Sequence, residues 1–278
     1  MEKFTKLFGK SKNVVIGMIH LRGLPGTPLY SGSVSSIVDL ACSEAEIYKN
    51  TSIDAVIIEN MHDIPYIQSH HFGPEVVSVM TQCCIQVRKL LPLHIHCGIQ
   101  VLSGGNKEAL AIALAANLNF IRAEGFVFAH IGDEGFMDAS AGSLLRYRKS
   151  IGADDVLIFT DIKKKHSSHS LTNDLSIGDI AKAAEFFLSD GVIITGSATG
   201  HPADAKEVQL VKESTNLPVI VGSGVNEENL QDYINSNGLI IGSHFKKNGK
   251  WENEVCKERL CCFLHKLKTL PANSWKHY

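Results

Sequence analysis

Side chains two apart on an extended strand point to one face. Asp161 and Lys163 have that spacing in IFTDIKKKH, and Arg122 and Glu124 have it in NFIRAEG. A lysine crowded by cations and partly removed from water titrates low, which suits it to act as a base or to form a Schiff base with a carbonyl. Lys163, followed at once by Lys164 and Lys165, fits that description. Lys165 shares its side if the strand persists, and His166 and His169 are further ligand-binding candidates. The competing readings are a solvated loop for Lys163-Lys164-Lys165-His166 and a structural ion-pair network for Arg122 with Glu124, because charges are rarely buried unpaired.

Two other residues stand where apolar runs end. Glu59 closes AVIIE as a candidate general base or metal ligand, and His20 closes VVIGMIH as a proton shuttle near neutral pH. For His20 the alternative is a structural strand-end histidine. Asp133 and Glu134 are weak candidates to recruit Mg²⁺ beside a phosphate. His94-Ile95-His96 has a spacing seen in metal sites but lies at the start of a strand. With hard oxygen ligands and no Cys/His cluster, any metal is expected to be Mg²⁺ rather than Zn²⁺.

Three near-copies follow in VIITGS, VIVGSG and LIIGSH, each an apolar run ending in Gly-Ser. Glycine at a strand end lets backbone approach a ligand, and successive N–H groups make an anion site. Gly196 with Ser197, Gly222 with Ser223 and Gly224, and Gly242 with Ser243 are therefore the candidate phosphate cradle. An amide bond to a charged phosphate contributes roughly 1.5–3 kcal/mol before costs. The alternative is that these glycines only make tight turns. Lys246 is either a further point charge for the phosphate or a solvated lysine.

These residues need strands to aim them. β-branched runs alternate with helical spacing along the chain, the signature of βα units around a parallel sheet. The predicted strands are Val14 to Leu21, Ala55 to Asn60, Ile95 to Leu102, Asn119 to Glu124, Val156 to Lys163, Val192 to Gly196, Pro218 to Gly222 and Leu239 to Gly242. Eight strands predict a single (β/α)₈ TIM barrel, an α/β fold whose last two strand ends hold phosphate. Helix starts are signalled by Asn106, by Ser176 with Asp179, and by Asn226 before EENLQDYI. The long connections 61–74 and 125–139 both follow strand ends on the catalytic face. The organisation expected is an N-terminal extension at 1–13, read as a solvated turn with an organelle-targeting helix as the alternative, a barrel at 14–270 and a tail at 271–278.

With 278 residues, 44% hydrophobic and 20% charged, the chain suffices for one large core. A net charge of -2 gives no overall attraction for nucleic acid, and no basic stripe with interleaved aromatics is present. No apolar run approaches the roughly 20 residues of a membrane span. Seven cysteines without a C-x-x-C pair predict a reduced intracellular compartment, cytoplasmic or alternatively mitochondrial. The adjacent Cys83-Cys84 and Cys261-Cys262 read as small buried hydrophobes. A homo-oligomer is compatible with such a barrel.

The segments IGMIHLRGLPGTP, AVIIENMHDIPY, GDEGFMDASAG, DIKKKHSSH, ITGSATG, VGSGVNEENL and IIGSHFKKNGKWEN together resemble the BtpA family over almost the whole chain. In the strand-three segment HIHCGIQVLSGGN the resemblance extends to Gln100 and Asn106. It implies a barrel of the ribulose-phosphate-binding type and a link to photosystem I biogenesis in photosynthetic bacteria. It implies no named reaction. Two functions are therefore expected: an enzyme (lyase, isomerase or hydrolase) acting on a phosphorylated small metabolite, or a non-catalytic assembly or stability factor for a larger complex.

Overall fold

The computed structural model describes residues 1–270; the expected tail at 271–278 lies outside the described residues. The predicted strands all form: β1 (Val14–His20), β2 (Ala55–Glu59), β3 (His96–Gln100), β4 (Phe120–Ala123), β5 (Leu157–Ile162), β6 (Gly191–Ile194), β7 (Val219–Val221) and β8 (Gly238–Ile241). They close into a parallel barrel in the order β1-β8-β7-β6-β5-β4-β3-β2. Each strand is buried on both faces, which is why its sequence is a continuous apolar run rather than an alternating one. One face packs on helices α2 (Val34–Lys49), α3 (Pro74–Leu90), α4 (Asn106–Ala115), α5 (Ala141–Ser150), α6 (Ile177–Phe186), α7 (Ala205–Ser214) and α8 (Lys257–Thr269), the other on the barrel interior.

The expected cap at Ser176 is present, with Ser176 and Asp179 bonding each other's backbone N–H as a capping box. The expected helix after Asn226 is only a 3₁₀ turn, Leu230–Tyr233. Asn226 Oδ1 accepts from the N–H groups of Glu228 and Asn229. That local turn competes with helix propagation.

Residues 1–13 are not a solvated turn. Residues Glu2–Phe8 form a helix, α1, whose Phe4 and Phe8 are buried in the barrel floor against Phe120 and Phe159. Spacing of i, i+4 puts both rings on one face, and the open bottom of the barrel offers them an apolar seat. His96 also lies here, 5.4 Å from Phe8, far from the mouth. Cys83 and Cys84 are buried as expected, but Cys261 and Cys262 are exposed, because α8 buries Leu260, Phe263 and Leu264 instead.

The long connection after β4 folds into a hairpin, His130–Gly132 with Gly135–Met137, to which Ser167–Ser168 adds a third short strand. This small sheet joins the loops after β4 and β5. No helix among the described residues is long and apolar enough to cross a membrane.

Candidate active site

Period-two alternation carries each interior row of the barrel to a polar residue at the C-terminal end. Above Met18 stands His20, above Ile57 Glu59, above Phe120 Arg122, and above Phe159 Asp161, with Gln100 completing β3. Gly222 and Gly242 follow Ile220 and Ile240, so the β7 and β8 side of this layer has no side chains. The mouth is therefore open on one wall and charged on the other.

Two connected lobes occupy it. The first, about 250 Å³, is lined by Gly222, Ser223, Gly224, Gly242, Ser243, Thr199, Gly200, His244 and Arg259. The second, about 470 Å³, lies toward β2, β3 and β4 and includes Gln100, Tyr66, Leu102 and Trp251. Glu59, Met61, Arg122, Lys165 and Thr199 line both.

In the first lobe the backbone N–H groups of Ser223, Gly224, Ser243 and His244 make no hydrogen bond among the described residues, whereas that of Gly222 is taken by the Ile194 carbonyl. Gly224 has φ +67° and packs so closely on the Pro202 backbone that a Cβ would lie 2.2 Å from its nitrogen. At Gly242 a Cβ would meet only Met18 and His20 at 3.4 Å or more. Gly196 and Ser197 do not line the cleft. A Cβ on Gly196 would lie 2.3 Å from the His201 carbonyl oxygen, so this glycine serves the fold-back of the loop after β6. Ser197 is exposed beside His201. Thr199 and Gly200, three and four residues on from Gly196, line the lobe in their place. Arg259, in α8, had no strand-end signal to mark it; its guanidinium is oriented by the His244 carbonyl, 2.7 Å from Nε.

Lys163 does not join Asp161. It adopts φ +46°, which ends β5 and reverses the alternation, and its Nζ donates to the Leu175 carbonyl behind the strand. Lys164 instead bonds Glu124 at 3.2 Å and Glu134 at 3.1 Å. Lys165, whose backbone N–H donates to Thr195 Oγ1, is the lysine that faces both lobes. Burial, reinforced by Arg122, pushes its ammonium below the usual lysine range. His166 and His169 are used locally: His166 bonds Thr199, and His169 Nε2 donates to the Lys164 carbonyl.

Arg122 and Asp161 form a two-pronged ion pair, Nε to Oδ2 and Nη2 to Oδ1 both at 2.9 Å. Burial alone would lower the Arg122 pKa, but Asp161 outweighs it and raises it. Glu124 titrates below the usual carboxylate range: burial works against this and is overcome by Lys164 and the Gly104 N–H. The structural ion-pair network thus exists, but it runs between strands and into the hairpin. His20 Nε2 lies 3.6 Å from Glu59 Oε2. Burial raises the Glu59 pKa and lowers that of His20, with the Lys246 charge adding to the latter.

Lys246 is neither solvated nor in the cradle. It is fully buried and bonded to both carboxylate oxygens of Glu44 at 2.7 Å. The Mg²⁺ candidates also part: Glu134 is buried against Lys164 and Ser103, while the Asp133 side chain is exposed beside His166. No group of three or more His, Cys, Asp or Glu suited to hold a metal ion occurs among the described residues.

The sequence model of the BtpA family matches residues 11–269. The chain belongs to the BtpA family. An uncharacterized Caenorhabditis elegans protein, named as mitochondrial, is 45% identical over 96% of this chain and 97% of its own. The photosystem I biogenesis protein BtpA of Synechocystis is 31% identical over 95% and 93%. Among solved structures, N-(5'-phosphoribosyl)anthranilate isomerase from Pyrococcus furiosus aligns with a TM-score of 0.57 and 13% identity, covering 93% of this chain and 100% of that one. KGPDC from Streptococcus mutans aligns with a TM-score of 0.55 and 12% identity, covering 92% and 98%. At such identities the likeness shows the fold alone, a TIM barrel.

Proposed function

We propose that the protein is an enzyme acting on a phosphorylated small metabolite, whose phosphate is held at the ends of β7 and β8. The observation that carries this reading is the position of Glu59 and Lys165, which line both lobes. A ligand anchored by its phosphate in the first lobe must pass them to reach the second. In its neutral form, which burial favours, Lys165 can add to a carbonyl carbon, forming a C–N bond and releasing water as the Schiff base forms, and ionised Glu59 can take the proton from the adjacent carbon. Arg122, fixed by Asp161, would face the charge that develops on oxygen. This is the chemistry of lyases and isomerases. All seven cysteines are free, which fits a reduced cytoplasmic or mitochondrial setting.

The direct test is mass spectrometry of ligand released from the purified protein, followed by a melting-temperature screen of phosphorylated metabolites. A site ligand at a hundred times its dissociation constant should add about 2.7 kcal/mol of stability. If no phosphorylated compound raises the melting temperature, the reading is wrong.

A second reading, a non-catalytic assembly or stability factor, is favoured by the exposed apolar run at the end of α6, where Phe186 is 81% and Leu188 69% exposed. Under that reading, substituting Glu59 by Gln and Lys165 by Ala would leave complementation of a null strain intact.

A further inference from the structure

The second lobe differs in kind from the first. Met61, Ile64, Tyr66, Leu102 and Trp251 give it an apolar wall. Away from Glu59 and Lys165 at the junction, most of its charge is already paired, Arg122 with Asp161 and Lys164 with Glu124 and Glu134. Among the described residues that line the lobe, one fully buried side-chain atom is unpaired: Gln100 is 2% exposed and its Oε1 has no hydrogen-bond partner. A buried acceptor left unpaired is costly, so a native protein keeps one mainly where something else supplies the donor.

Sugar hydroxyls would not suit this wall, because each would face Met61, Ile64 or Leu102 without a partner. A planar ring buries its faces against such a surface and presents polar atoms only at its edge. A primary amide offers an acceptor and a donor side by side, which matches a ring edge carrying an N–H next to a ring nitrogen or carbonyl. In the barrel order β3 and β7 lie on opposite sides, so Gln100 faces the phosphate lobe across the mouth.

We infer that the ligand is a phosphate monoester bearing a planar, N–H-carrying ring at its far end, of the nucleoside 5'-monophosphate class, with the ring edge on Gln100. This rests on the phosphate reading above. The ring sits beyond Glu59 and Lys165, so those groups face the linking sugar, where addition of Lys165 at the anomeric carbon would break its bond to the ring nitrogen, the ring leaving with a proton, and opening of the sugar would give the Schiff base.

Calorimetric titration of the full chain with inorganic phosphate, ribose 5-phosphate and the four common nucleoside 5'-monophosphates tests it. At least one nucleotide should bind about tenfold or more tightly than ribose 5-phosphate. Gln100→Leu should remove that advantage while leaving ribose 5-phosphate binding within about twofold. If Gln100→Leu does not fold, Tyr66→Ala, which strips the wall from a half-buried position, should reduce the same advantage. Ribose 5-phosphate binding as tightly as every nucleotide would overturn the ring assignment and leave the phosphate site standing. A nucleotide advantage that survives the substitution would also overturn it. Absence of binding by all three classes of probe would overturn the phosphate reading and this inference together.

Discussion

His20 and Glu59 are register partners on β1 and β2, and the tautomer of one fixes what it can do for the other. His20 Nδ1 lies 3.0 Å from the Trp251 carbonyl oxygen, which can only accept, so Nδ1 carries the proton. The neutral ring then turns its Nε2 lone pair toward Glu59, 3.6 Å away. Burial raises the carboxyl pKa and lowers that of the imidazole, so the pair's surroundings favour the uncharged form of each. Under the proposed function the pair would pass one proton to and from a ligand at the junction of the lobes.

Glu59→Gln should therefore lower kcat by about 10²–10⁴ while the dissociation constant for phosphate-bearing ligand changes little. Steady-state kinetics on the ligand identified by mass spectrometry, with binding measured separately, checks it. Equal loss in both quantities would mean a binding role instead.

Gly242→Asp is the clean probe of the phosphate lobe. Its Cβ has ordinary contacts with Met18 and His20, so the fold should survive, but a carboxylate would oppose the anion. The variant should melt near the wild type and lose the shift caused by phosphorylated ligands. Gly224→Ala should instead unfold the region, because φ is +67° and Pro202 is in the way.

Lys246→Met should destabilise the protein by about 3–5 kcal/mol, because it strands a buried Glu44. Pairing it with Glu44→Leu should restore most of that loss. Urea denaturation of the single and double variants measures both; a solvated lysine would show neither effect.

Stability should fall on acidification from about pH 7 to 5, partly through His130. Burial, then Lys164 and His169, lowers its pKa to about 4 from an ordinary value of 6.5. Between those values the unfolded chain binds more protons than the folded one, so stability is lost as pH falls through the window. His130→Gln should make the melting temperature less sensitive to pH there. An unchanged pH slope would mean that His130 is protonated in the folded state.

Phe4→Ala should cost about 3–5 kcal/mol, measured by urea denaturation, if α1 is a structural plug. Ligand affinity at the opposite end of the barrel should persist.

Local pattern sufficed wherever regular strands continue. The apolar runs marked all eight strands, and their period of two carried Ile57 to Glu59, Phe120 to Arg122 and Phe159 to Asp161 in one interior layer. That layer, with the glycines after β7 and β8, was legible because strand geometry repeats from residue to residue. The amphipathic spacing of Phe4 and Phe8 was visible too, but not the barrel floor that makes it a plug.

Beyond a strand end the repeat stops, and one dihedral decides where a side chain goes. The positive φ at Lys163 sent that lysine behind β5 and gave the cleft Lys165. Gly196 lost its place to Thr199 and Gly200 because the loop folds back on His201. Lys246 found Glu44, 202 residues away, a contact that no local spacing encodes. The sequence by itself determined the barrel and the ring of polar residues at its mouth; tertiary structure decided which charges pair off and which stay available, because charge pairing depends on distance in space.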